Sequence, residues 1–349
     1  MHGTDSAASL SAANSRVWIA LACAVALHAA PSPAWAWGAT GHRLISRLAV
    51  ETLPEEVPAF LRSADALWPI GELGREADRS KTAGAEHDAD RDPGHRINLS
   101  DDQTAAGVAL TPLTPTREAF DTALRAKGSD QYKMGYLPYA IIEGWQQLKM
   151  DFAYWRVNAL GERAGKSAED REWFAKDKRL REMLTLRDLG YWSHFVADAS
   201  MPLHVSIHYL GWGNFPNPQG YSTALTLHAH TEGDFVAHHV SEEDMRATLR
   251  PYRDCGCSIE ERAVAHILAS HAQLIPLYEL DKRNAFDGAH DEGREFVAER
   301  LAAAAAELRD MVVDAWRASP DATVGYPNVK LRDVEAGKVL PIEELKGRD

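Results

Sequence analysis

Apolar residues recur every three or four positions along most of this 349-residue chain, and runs alternating every second position are scarce. A chain patterned this way buries its apolar stripes by packing helix on helix. Residues 41–51 put Leu44, Ile45, Leu48 and Ala49 on one face and stop near Pro54. Residues 116–126 start on a Thr and set Phe120 and Leu124 four apart. Residues 139–160 carry Ile141, Ile142, Trp145, Leu148, Phe152 and Trp155. Ser167 with Asp170 forms a capping signal for a helix reaching about residue 186, and 187–200 continues or restarts it before Pro202. Residues 228–240, 259–280 and 292–318 complete the helical set, the last carrying the strong helix formers Ala302 to Ala306. The expected fold is all-α: a single compact multi-helix domain over 37–325 with long loops, chiefly 83–102 and 205–226. The polar tail 326–349 is expected to wrap the surface or hang loose.

Residues 1–36 are expected to stand outside that fold. Arg16 precedes a mostly apolar run over 17–30, too short for a comfortable membrane span, and Ala34-Trp35-Ala36 ends the segment. This is the layout of a secretory signal peptide cut between Ala36 and Trp37, so the expected destination is the periplasm or the medium. An uncleaved anchor is the competing reading. The cut makes Trp37 the new N-terminus. Of the three cysteines, Cys255 and Cys257 remain. Whether they pair is left open, Cys-x-Cys being a tight ring to close, and a loop position with no catalytic role is the favoured reading.

Composition narrows the function. Apolar residues at 45% and charged residues at 26% are ordinary globular values, which exclude disordered and collagen-like chains. With 51 acidic against 38 basic residues the net charge is −13, and losing Asp5 and Arg16 with the leader leaves it unchanged. A broad basic surface for polyanions is therefore excluded. A phosphate ester would need its charge met locally, and 15 histidines make bound metal the agent to pursue. Three cysteines exclude a disulfide-rich scaffold.

The chemistry-bearing residues sit at helical spacing. His194 and Asp198 are four apart and share a helix face, and Pro202 ends that helix so that His204 can point elsewhere. In Leu227-His228-Ala229-His230-Thr231-Glu232-Gly233-Asp234, His228 and Glu232 are four apart, and so are His230 and Asp234. Either pair can serve; His228 and Glu232 are preferred. Upstream stand Asp78, His95 and the segment Trp37-Gly38-Ala39-Thr40-Gly41-His42. Imidazole and carboxylate donors without thiolate suit zinc, with manganese or iron as alternatives. One His–Asp pair alone is more often a surface hydrogen bond. His238 and His239 are assigned no role.

In their order along the chain, Trp37-Gly-x-x-Gly-His42, Ala77-Asp78, His95, His194-x3-Asp198-x5-His204 and His228-x3-Glu232 resemble the S1/P1 nuclease family, which shares a superfamily with bacterial zinc-dependent phospholipase C. The resemblance covers roughly residues 37–236, and its most specific element is the run from His194 to His204. It implies three zinc ions in one cleft. One would take Asp78, His95, His194 and Asp198. A second would take His204, His228 and Glu232. A third would take His42, the amine and carbonyl oxygen of Trp37, and Asp198 as a bridge. An α-amine has a pKa of about 8 and gives up its proton to a metal far more readily than a peptide nitrogen. The implied activity is zinc-assisted in-line hydrolysis of a phosphodiester. Asp78 would orient the water or take its proton, and Lys81 or Arg79 would hold a phosphate oxygen.

The chain also departs from the family. Arg96 follows the zinc-binding His95 where an aromatic commonly stacks on the nucleobase, and Asn98 stands where the nucleases tend to carry Asp. Glu232 closes the last pair as in the phospholipases. Tyr209, Trp212 and Phe215 lie between His204 and His228, where they either line a substrate pocket or pack their own loop down. The expected substrate is single-stranded nucleic acid or nucleotides, with release of 3′-phosphate as a further activity. Phospholipid head groups are the alternative, and a zinc-binding scaffold without catalysis is the third reading. No protein partner is expected, and the chain should act as a monomer.

Overall fold

A computed structural model describes residues 37–288, 290–326, 328–339 and 346. The proposed leader lies outside these residues. Seven helices of ten residues or more occur among them: α1 Gly38–Glu51, α2 Ala64–Leu73, α3 Arg117–Ala126, α4 Leu137–Ala164, α5 Ala168–Asp198, α6 Ile259–His271 and α7 Asp291–Ala318. Strand among the described residues is confined to two antiparallel pairs of two residues each, 104–105 with 108–109 and 323–324 with 329–330. The protein is all-α. None of the described helices is long and apolar enough to cross a membrane.

Side-chain caps mark the starts of three of these helices, α3, α5 and α6. The Thr116 hydroxyl accepts from Ala119 N and starts α3. Ser167 and Asp170 form a reciprocal capping box at the start of α5. That helix then runs unbroken for 31 residues to Asp198 and does not restart at 187. Its Gly190 lets α2 approach, since a Cβ there would lie 2.3 Å from Leu73 Cβ. α7 is sunk through its middle, with Leu301, Ala304, Ala305, Leu308, Met311, Val312 and Val313 buried alongside the charged Glu307, Arg309 and Asp310. This makes it an interior helix, packed against α1, α4 and α5.

Other expectations need correction. The stretch expected as a loop over 83–102 holds a helix, Ala85–Arg91, and a 3-10 turn, Asp92–His95. The segment expected as one helix over 259–280 breaks at Gln273 into α6 and Leu274–Lys282. Cys255 and Cys257, whose pairing the sequence leaves open, are joined in a disulfide. Of the two readings of the tail, its first part follows the wrapped one: Leu331 and Val334 join Val324, Ala153 and Val157 in a small satellite core. Polar as it looked, it offers apolar residues at the spacing of the Leu331–Glu335 helix, which α4 covers.

Candidate metal centre

The last turn of α5 supplies the middle of the site. His194 and Asp198 lie on one face of that helix and are fully buried. α1 lies alongside and stacks His42 on His194, ring centroids 3.8 Å apart at 13°. The Glu76–Arg79 turn brings Asp78, and the 3-10 turn after it brings His95. A second 3-10 turn, Pro202–Val205, turns His204 away from α5 once Pro202 has ended it. The His228 to Glu232 stretch passes from a single α-turn into a π-helix over His230–Phe235, a widened turn often found at functional sites.

These elements gather three buried groups: His42, His194 and Asp198; Asp78, His95 and His194; and His204, His228 and Glu232. Within each group the donor atoms lie within 4.8 Å of one another. His194 belongs to two of them. His95 Nδ1 lies 3.0 Å from both Asp198 Oδ2 and His194 Nε2, and Asp198 Oδ1 lies 3.6 Å from His42 Nε2. His228 Nε2 stands 2.8 Å from Glu232 Oε2, and His204 Nε2 stands 3.5 Å from it. Between the two pairs offered by sequence spacing, the structure gathers His228 and Glu232. His230 instead makes a hydrogen bond with the Phe286 carbonyl, and Asp234 is exposed.

The ring orientations are set from behind. His194 Nδ1–H donates to the Gly74 carbonyl at 2.9 Å, and His204 Nδ1–H donates to the His95 carbonyl at 2.7 Å. Both rings therefore turn an Nε2 lone pair inward, the arrangement metal-bound histidines use. Gly74 leaves no room for a side chain: a Cβ there would lie 2.3 Å from Ser46 Oγ. Nothing in the sequence singled Gly74 out.

Electrostatics follow from burial. Loss of water pushes the His95 and His194 pKa values well below the ordinary histidine range, with the Lys81 charge adding to it, so both rings are neutral. Burial, reinforced by the charges of Asp78 and Glu232, raises Asp198 well above the carboxylate range. For Glu232 burial acts upward, but His228 and His204 outweigh it and bring the group to about 2. His204 Nε2 and both Glu232 oxygens have no hydrogen-bond partner among the described residues. Buried lone pairs left without a partner cost free energy, which a bound cation would offset. The donor set, imidazole and carboxylate, fits bound metal ions.

Trp37 sits 1% exposed at the head of α1. Its indole Nε1–H reaches the Ala197 carbonyl at 2.8 Å and Ser200 Oγ at 2.9 Å, on either side of Asp198. Its own carbonyl accepts from Gly41 N at 3.0 Å. Gly38, at φ 48°, would bring a Cβ to 3.2 Å from the Glu232 carbonyl oxygen. The Trp-Gly start is thereby wedged between the elements that carry Asp198 and Glu232.

The remaining candidates divide. Lys81 Nζ lies 2.5 Å from Asp78 Oδ1, at the edge of the cluster. Arg79 does not join it: its guanidinium is held on the surface by Glu72 at 2.7 Å and Glu76 at 3.3 Å. Arg96 donates to the Asp92 and Tyr132 carbonyls, and Asn98 to the Lys133 carbonyl, so both are tied to backbone. Trp212 is 5% exposed and stacked on His208, which makes it a packing residue of its loop; Tyr209 and Phe215 stay exposed. A cavity of about 680 Å³ opens beside the cluster, walled by Arg91, Arg117, Tyr136, Arg187, Tyr191 and Phe195. Phe195 is its link to the cluster, with its ring 5.3 Å from that of His95. Comparison with family models, with curated proteins and with solved structures finds no match.

Proposed function

We propose that this chain is an exported zinc-dependent phosphodiesterase of the S1/P1 nuclease type, hydrolysing single-stranded nucleic acid and releasing 3′-phosphate from nucleotides. One observation carries the reading: residues as far apart as His42 and Glu232 meet in three buried donor triads, two of them sharing His194. Their identities follow the family's order of ligands. Three zinc ions would be held by His42, Asp78, His95, His194, Asp198, His204, His228 and Glu232, with the amine freed at Trp37 completing the set. Bound there, zinc supplies Lewis acidity and the positive charge that a chain of net charge −13 otherwise lacks for a phosphate ester.

The chain's own residues have distinct parts. Asp78 orients the attacking water and takes its proton. Lys81, held beside it, binds a non-bridging phosphate oxygen. Gly74 and the His95 carbonyl fix the tautomers of His194 and His204. Arg79 has no part.

A secreted phospholipase C is the second reading, and specific features favour it. No aromatic follows His95, the guanidinium of Arg96 is tied to two carbonyls, and the last triad closes on Glu232. The test sets degradation of single-stranded DNA against release of phosphocholine from phosphatidylcholine, each with and without a chelator. Chelator-sensitive DNA degradation supports the nuclease; chelator-sensitive phosphocholine release supports the lipase. Neither activity in a zinc-loaded protein would remove both. N-terminal mass analysis of the active protein decides whether Trp37 carries a free amine.

A further inference from the structure

The loop between the helix Glu242–Thr248 and α6 carries a disulfide whose two sulfurs stand in unlike surroundings. Cys255, Gly256 and Cys257 are all exposed. Gly256 sits at φ 60° with open space around it, so the turn, not packing, calls for glycine there. Other bonds hold the same turn. Gly256 N donates to Asp254 Oδ1 at 2.9 Å, Arg262 donates to the Arg253 carbonyl at 3.0 Å, and Ser258 and Glu261 close a capping box at the head of α6. A crosslink between cysteines two positions apart also takes less freedom from the unfolded chain than one closing a long loop. Opening it therefore leaves the local fold in place. The sulfurs differ through Arg262, which is 4% exposed. A guanidinium has five N–H groups. Here Glu307 takes that of Nε at 2.6 Å, the Arg253 carbonyl and Asp310 take those of Nη2 at 3.0 and 3.1 Å, and Asp314 takes one of Nη1 at 2.6 Å. The last reaches Cys255 Sγ at 3.6 Å. Sulfur is the weakest acceptor of the set, and it gains most by becoming an anion. Among the described residues no such donor reaches Cys257 Sγ.

We propose that Cys255–Cys257 is a polarised thiol–disulfide exchange site for low-molecular-weight thiols, with Cys257 the sulfur attacked and Cys255 the sulfur that leaves. The incoming thiolate bonds to Cys257 Sγ, the S–S bond breaks, and its electron pair departs on Cys255 Sγ, where the Arg262 N–H receives it. The products are a mixed disulfide on Cys257 and a thiolate at Cys255, with no net oxidation. A second thiolate attacking the mixed disulfide releases the small molecule as its own disulfide and leaves both cysteines reduced, the two electrons coming from the two thiols. A sulfur that is stabilised as thiolate leaves faster, and a neighbouring arginine gives that stabilisation. Asp254 and Asp314 oppose a further negative charge here. Both are already bonded, Asp254 to Gly256 N and Asp314 to Tyr252 and Arg262, and neither uses the N–H that faces Cys255. The site shares no residue with the metal triads and does not depend on the phosphodiesterase reading.

The experiment treats the full oxidised chain with reduced glutathione at millimolar concentration and quenches it with an alkylating agent. Trypsin then leaves both cysteines in one peptide, 254–262, whose fragment ions show which sulfur carries glutathione and which the alkyl group. The expected result is glutathione on Cys257 in several-fold excess over Cys255. In the fully reduced protein, alkylation followed across pH should give Cys255 a midpoint at least about one pH unit below that of Cys257. Arg262→Lys keeps the charge but loses the forked N–H, and should bring the two midpoints together. Where that variant fails to fold, the native profile decides alone. No mixed disulfide on the folded native chain, glutathione on Cys255 or shared evenly, or equal midpoints in the native protein would each overturn the proposal. Midpoints still apart in folded Arg262→Lys would overturn it too, since the polarity would then have another cause.

Discussion

At the scale of single residues, the triads gather buried donors that could hold a cation. Glu232 shows this most clearly. It is 1% exposed, its Oε2 faces the Nε2 atoms of His228 and His204, and among the described residues no arginine or lysine is paired with it. Glu232→Gln keeps the shape and removes the anionic donor. Affinity at that triad should fall by more than about tenfold, the lower bound for losing even an outer partner of a metal ligand. Metal content after dialysis reads this. So does the rise in Tm on adding zinc, which should be smaller in the variant because ligand binding to the folded state is what stabilises it. An unchanged zinc-dependent rise would count against Glu232 as a ligand.

At the scale of elements, α4 and α5 form an antiparallel hairpin, and two glycines of α4 act as sockets for aromatics of α5. A Cβ on Gly144 would lie 2.0 Å from the Trp192 ring, and one on Gly161 would lie 2.3 Å from Phe174. Trp192 is 2% exposed and donates to the Ile141 carbonyl, so it cannot swing aside. Gly144→Ala should cost about 1–3 kcal/mol by overpacking despite alanine's better helix propensity. Urea unfolding measures it, and a more stable variant would refute the socket. The same hairpin buries Asp151 against Arg181 at 2.9 Å. Burial first, then the charge of Asp188, raises Asp151 to about 6, with Arg181 pulling the other way. The folded state therefore holds this proton more tightly than the unfolded chain, whose Asp titrates near about 3.9. The contribution of Asp151 to stability falls as pH rises from about 4 to about 6. Asp151→Asn should flatten that part of the profile, which urea midpoints at pH 4.5 and 7 in both proteins would show.

At the scale of the whole molecule, Arg262 holds the end of the chain's long α7 to the rest. Its side chain is 4% exposed and reaches Glu307 at 2.6 Å, Asp310 at 3.1 Å and Asp314 at 2.6 Å along one face of α7. It also donates to the Arg253 carbonyl in the loop with the Cys255–Cys257 disulfide. Arg250 and Arg309 share the same carboxylates. Arg262→Met fits the space but leaves buried carboxylates short of a cation. The expected loss is about 3–5 kcal/mol, seen in equilibrium unfolding. The metal triads, borne by other elements, should keep their metal content at low temperature. A loss under about 1 kcal/mol would mean that Arg250 and Arg309 suffice.

The all-α class and most long helices were legible because helix periodicity and capping are local: Thr116 and the Ser167–Asp170 box mark starts that need no knowledge of the rest of the chain. The donor pairs His194–Asp198 and His228–Glu232 were legible for the same reason, being four apart on one turn. Which pairs meet was not local. The Gly74 carbonyl that sets His194, the Glu232 carboxylate that meets His204, and the Asp198 carboxylate that meets His95 come from distant segments brought together by packing. Short-range spacing fixes which face of a helix a side chain occupies; only the close packing of separate elements fixes what that face meets.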